Sequence, residues 1–174
     1  MKKLFKGLTI CLLFVFAGTT AKAQAPYTHG IGVVVGIMDG VTYKTFAFGD
    51  RFGFQVDLAP KINVRDHWNF WSLDLSPNLM YQGKIGGTGL YWFAGGGLSL
   101  GYVISDYFFS NYFFSDYFDY GKFGVNAIAG LEYKFGIPLS LQFDFRPGYG
   151  LVFREHFNDS YFDWGLNLSV RYTF

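Results

Sequence analysis

The sequence predicts an all-β chain: a transmembrane up-and-down antiparallel β-barrel, most simply of eight strands, behind a cleaved N-terminal signal peptide. Three observations carry this. Long stretches alternate strictly between apolar and polar residues. Aromatic residues make up 22% of the chain, yet no second apolar run is long enough for a membrane helix. The first 23 residues have the layout of an export signal.

That leader comes first. Lys2, Lys3 and Lys6 precede an apolar run from Leu8 to Ala17, and Ala21, Lys22 and Ala23 form a small–x–small cleavage site. The run is too short to span a bilayer as a helix, which takes roughly 20 residues. Cys11 lies inside it behind the bulky Ile10, which argues against a lipid-modified cysteine. The expected division is therefore 1–23 as signal peptide and 24–174 as barrel domain. The single cysteine leaves with the leader, and with it any disulfide or thiol nucleophile. The leader also removes four of the 14 basic residues, leaving ten against 13 acidic ones. Nothing in that balance points to nucleic acid.

The strands are read from their period of two. From Phe162 to Phe174 the even positions are Phe162, Trp164, Leu166, Leu168, Val170, Tyr172 and Phe174, and the odd ones Asp163, Gly165, Asn167, Ser169, Arg171 and Thr173. Leu139–Leu151 and Phe123–Phe135 repeat the pattern, as do Phe52–Arg65 and Trp71–Gln82. Ile31–Ile37 and Leu90–Tyr102 are glycine-softened versions, and Val41–Phe48 carries aromatics on both faces. The expected strands are 30–37, 41–48, 52–64, 69–82, 90–103, 122–135, 139–152 and 161–174. Tight turns at 49–51 and 136–138 and a glycine-rich one at 82–89 alternate with connections at 38–40, 65–68, 104–121 and 153–160. Short turns at one end and longer loops at the other suit an outer-membrane barrel.

Alternation alone leaves open which face turns inward, and a soluble barrel would put its apolar face inside. Here the polar faces are rich in Gly, Ser and Asn with isolated charges, which suits a narrow lumen. The apolar faces end in Trp71, Tyr81, Trp92, Tyr102, Tyr133, Tyr149, Trp164 and Tyr172, the makings of two aromatic girdles. The apolar side is thus expected to face lipid. The lumen is expected to hold Lys44, Gln55, Asp57, Lys61, Asp74, Glu132, Lys134, Asp144, Arg146 and Arg171. An eight-strand lumen is just wide enough for side chains to fill it.

Taken together, the leader, the eight alternating strands and the terminal Arg171, Tyr172, Thr173 and Phe174 resemble the small outer-membrane β-barrel proteins (porin-like, OmpA/OmpX-type), across essentially the whole of 24–174. The resemblance implies outer-membrane lipid as surroundings. It also implies recognition of Tyr172 and Phe174 by the barrel-assembly machinery during insertion.

Two internal regularities remain. Asp57 and Pro60, Asp74 and Pro77, and Asp144 and Pro147 share one spacing, each with its acid on the lumen face and its proline on the lipid face. Proline cannot donate to a ladder, so bulges or rim positions are expected there. The acids read as a carboxylate relay or, better, as partners of the lumen cations, since an unpaired buried charge is costly. The second regularity is a pentad, Ser105–Phe109, Ser110–Phe114 and Ser115–Asp119. Its Tyr107, Phe108, Tyr112, Phe113, Tyr117 and Phe118 make an exposed aromatic loop within 104–121, read either as a contact surface for an extracellular protein or glycan or as a low-complexity expansion folded over the barrel mouth.

Catalytic candidates are thin. His156, Asn158 and Ser160 form the one enzyme-like cluster, with asparagine where a histidine-activated serine would be wanted. Gly95–Gly97 reads as relief for close backbone packing. No catalytic, metal or cofactor site is expected. The functional expectation is a non-enzymatic outer-membrane barrel whose loops serve surface interaction, adhesion or envelope integrity. A small low-conductance pore and, further off, a lipid-modifying enzyme are the alternatives.

Overall fold

The computed structural model describes residues 25–47, 49–65, 68–107, 120–153 and 158–174. Eight antiparallel strands close into one barrel: β1 (His29–Gly36), β2 (Gly40–Thr45), β3 (Phe52–Arg65), β4 (Trp68–Lys84), β5 (Leu90–Tyr107), β6 (Tyr120–Lys134), β7 (Leu139–Phe153) and β8 (Asn158–Thr173). Each strand pairs with its neighbours in sequence, and β8 returns to β1. Tyr107 belongs to β5, opposite Trp68, so β5 runs four residues beyond the expected 90–103 and takes in the first three residues of the pentad. Phe108, Tyr112, Phe113, Tyr117 and Phe118 lie outside the described residues.

The register fixes the barrel's shape. One row of facing residues runs from Gly30 through Lys44, Gln55, Asn78, Gly97, Asn126 and Gly148 to Asp163. Gly30's own partner on β8 is Thr173, ten residues from Asp163. With strands about 4.8 Å apart and about 3.3 Å per residue, a stagger of ten tilts the strands by about 40°. Each residue then advances about 2.5 Å along the axis.

Side-chain sidedness follows the alternation. Along β7 the inward residues Ser140, Gln142, Asp144 and Arg146 are buried, whereas Leu141, Phe143, Phe145 and Tyr149 are exposed. On β8, Asn167, Ser169 and Arg171 are buried between the exposed Leu166, Leu168, Val170 and Tyr172. The interior is polar and the exterior apolar, the reverse of a soluble barrel.

The outward aromatics fall in two rows. Trp71 and Tyr81 on β4, Tyr102 and Trp92 on β5, and Phe123 and Tyr133 on β6 are each ten residues apart, or about 25 Å along the axis. The row near the chain termini is linked by ring contacts: Phe52–Tyr81 at 5.5 Å, Tyr81–Trp92 at 5.7 Å, Tyr133–Phe135 at 4.8 Å and Tyr172–Phe174 at 6.1 Å between centroids.

The short turns cluster at that same end. Gly86 takes the left-handed conformation (φ +61°) while Thr88 accepts from the Leu90 N–H and donates to the Ile85 carbonyl. The prolines bring no bulges. Pro77 and Pro147 sit in registers that continue unshifted, with pairing lapsing over two residues on the β5 and β6 sides respectively. Pro60 lies beyond the pairing of β2, a rim position where no donor is required.

Candidate functional site

Among the described residues six buried charges occupy the barrel axis: Lys44, Asp57, Glu132, Asp144, Arg146 and Arg171. Three are positive and three negative, so the core is neutral as a whole. They come from β2, β3, β6, β7 and β8, where strand alternation aims each one inward. Lys44 Nζ meets Glu132 Oε2 at 2.8 Å and also donates to Gln82 and Gln142. Arg171 donates from Nη1 to Gln142 and from Nε and Nη2 to the Thr42 hydroxyl, with Glu132 at 3.8 Å. Arg146 bridges two acids. Its Nε donates to Asp144 at 2.6 Å, and its Nη1 lies 2.6 Å from Asp57 in ion-pair contact, although off the line of a hydrogen bond. Gln55 and Gln142 stitch the two halves together and donate to Asp57 and Asp144. Such a network is tolerable in a dry interior because nearly every charge is both paired and hydrogen-bonded.

Below this network, toward the termini, the axis is plugged by apolar groups. Met80, Phe93 and Ile128 form a buried cluster, and Lys44 Nζ stands 4.7 Å above the Phe93 ring and 5.3 Å from that of Phe46. Two glycines make room: a Cβ on Gly53 would press on Phe46 and Met80, and one on Gly130 on the Phe93 ring. The segment before β1 completes the plug. Tyr27 packs edge-on to Phe46 at 5.4 Å and donates its hydroxyl to Glu132 at 2.6 Å. Burial, and then the charge of Glu132, push this phenol's pKa well above the ordinary tyrosine value.

Above the network the lumen opens into a vestibule of about 320 Å³ at the loop end, with Arg146 on its floor. Its wall is thinned by inward glycines: a Cβ on Gly101 would meet Asp74, one on Gly148 would meet Asp163, and one on Gly150 the Tyr161 ring. Asp74 is shared here by Lys122 at 3.4 Å and Lys61 at 3.9 Å.

The predicted lumen set therefore divides. Lys44, Asp57, Glu132, Asp144, Arg146 and Arg171 come together on the axis, while Lys61 and Asp74 belong to the vestibule. Lys134 joins neither group. Its ammonium turns to the barrel end and donates to the carbonyls of Phe135 and Ile137, because β6 stops there and the turn presents carbonyls outside the strand ladder. Sequence reasoning missed Lys122, which sits on the inward side of β6 one residue before the window that was read for alternation. Tyr27 precedes every strand and carries no periodic signal at all. Tyr172 and Phe174 face outward at the seam, where Phe174 and His29 exchange backbone hydrogen bonds of 2.8 Å.

His156 of the enzyme-like cluster lies outside the described residues, and Ser160 is exposed on β8 opposite Leu151. His29 is engaged locally, with Nδ1 2.9 Å from the Tyr43 hydroxyl and 3.1 Å from that of Thr45. Among the described residues no group of three His, Cys, Asp or Glu side chains is placed to hold a metal. A scan against models of protein families finds no match, and a search of curated proteins finds no significant relative.

Proposed function

We propose that this chain is an integral outer-membrane protein, exported by its leader, without enzymatic activity, that works through the loops at the open end of the barrel in surface interaction, adhesion or envelope integrity. The observation that supports this best is the exterior: a continuous apolar band between two aromatic rows about 25 Å apart, the height of a barrel's lipid-facing belt. The resemblance noted in the sequence adds the barrel-assembly machinery as the partner during insertion, with Tyr172 and Phe174 as the recognised end.

Two measurements test it. The protein should partition with outer-membrane fractions and migrate faster on SDS gels when unheated than when boiled. A soluble fraction with unchanged mobility would overturn the membrane reading. Replacing residues 108–119 by a short Gly-Ser turn, which spares the β5–β6 pairing, should leave that mobility difference intact and reduce cell-surface adhesion or partner capture. Unaltered adhesion and envelope resistance would overturn the loop reading.

A low-conductance pore is the second reading, favoured by the open vestibule. The filled axis beneath Arg146 weighs against it, and planar-bilayer recording without conductance steps is the expected result.

A further inference from the structure

The vestibule differs in kind from the network beneath it. On the axis the closest ion pairs are 2.6–2.8 Å and the side chains are fully buried. At the mouth the two lysines stand 3.4 and 3.9 Å from Asp74 and remain 29% and 40% exposed. Slack, hydrated pairs are cheap to rearrange, so an incoming polar ligand displaces little.

The charges of the vestibule are also loosely paired, two lysines standing against two carboxylates among the described residues. Lys61 and Lys122 share the carboxylate of Asp74 at 3.9 and 3.4 Å, so among the described residues neither lysine is held in a close ion pair. Asp163 faces the same space, yet among the described residues no cation lies within 4.0 Å of it. Its carboxylate is therefore without a close ion pair, although the two lysines balance it in number. Arg146 adds no loosely held charge, because Asp57 and Asp144 already hold it from below. Ile37, Met38 and Val152 add an apolar side to the cup.

We propose that the vestibule binds a small zwitterion of the α-amino-acid class with an apolar side chain. Its carboxylate sits against the loosely held ammoniums of Lys61 and Lys122, its ammonium pairs with Asp163, and its side chain rests against Ile37, Met38 and Val152. The volume lies at the small end of the range for ligand sites, about 300–1,000 Å³, which suits a single residue or a dipeptide.

The test is NMR titration of the full mature barrel in detergent micelles, with three probes: leucine, leucinamide, which lacks the carboxylate, and 4-methylpentanoate, which lacks the ammonium. Leucine should shift the amides of Gly101, Gly148 and Asp163 saturably, and the other two probes should bind about tenfold more weakly or worse. Asp163→Asn should weaken leucine to the level of 4-methylpentanoate while leaving spectral dispersion intact. Leucinamide or 4-methylpentanoate binding as well as leucine would overturn the proposal. So would shifts that never saturate or that spread over the lipid-facing residues. The probe comparison needs no variant, so a substitution that failed to fold would not rescue the idea. Micelle-bound protein reports on the cup whatever the role of the loops.

Discussion

Tyr27 and Glu132, 105 residues apart in sequence, share a 2.6 Å hydrogen bond at the base of the barrel. Through it a segment outside the sheet is tied to the charged axis. Removing the hydroxyl in Tyr27→Phe should cost about 1.5–3 kcal/mol, the range for a hydrogen bond to a charged group. Urea unfolding in lipid vesicles, read by tryptophan fluorescence, gives the number.

The same phenol makes a pH prediction. Its folded pKa is raised, so the folded state holds the proton more tightly than the unfolded chain. Its contribution is fully present below the ordinary tyrosine value of 10.0 and is lost as pH rises through the higher folded value. Wild type should therefore lose more stability than Tyr27→Phe above about pH 10 and the same amount below it. Parallel curves for the two proteins throughout would contradict the sign.

Glu132 is the anion between two buried cations. Glu132→Gln leaves Lys44 and Arg171 without their counter-charge and should cost about 3–5 kcal/mol. Adding Lys44→Met should recover part of that loss, and a double-mutant cycle measures how much. Additive losses would mean that the pair is not coupled.

The correction at Lys134 is equally testable. Arg171→Met removes a guanidinium that holds Thr42 and Gln142, and should lower stability by several times as much as Lys134→Met. The latter breaks only two hydrogen bonds to turn carbonyls and should stay within about 1 kcal/mol. Similar losses from both would place Lys134 in the core network after all.

The outer face predicts a dependence on depth. Leu168 lies midway between Trp164 and Tyr172 on the exposed side of β8. Leu168→Arg should cost about 2–4 kcal/mol in a bilayer and Tyr172→Arg only about 0–1. Spin labels at Leu166 and Leu168 should be reached by dissolved oxygen and shielded from water-soluble relaxants.

The legible part of this molecule was whatever alternation alone determines. On β7 and β8 every second residue announces its side, so burial, pairing partner and most of the axis charges could be read directly. Where packing decides, the sequence says less. Phe93 and Ile128 are apolar residues on faces rich in glycine and polar residues, and only the barrel's closure brings them onto Met80 as a plug. The glycines of β5 signal close backbone approach. At Gly95 and Gly97 that holds, since a Cβ there would collide with the backbone of β4. Gly101 and Gly148 do something else, hollowing the vestibule beside Asp74 and Asp163, and nothing local distinguishes the two uses. The prolines misled in the other direction, because a ladder can skip two residues without slipping its register.

The seam between β1 and β8 pairs Gly30–Gly36 with Thr173–Asn167, the two extremes of the folded chain. Until the final strand exists, the first has only one neighbour, and any partly built sheet carries two raw edges that invite pairing with another chain. Closure of so distant a contact comes late and slowly. The joint of the cylinder can therefore form only once β8 is present, and the order of events is set by geometry there.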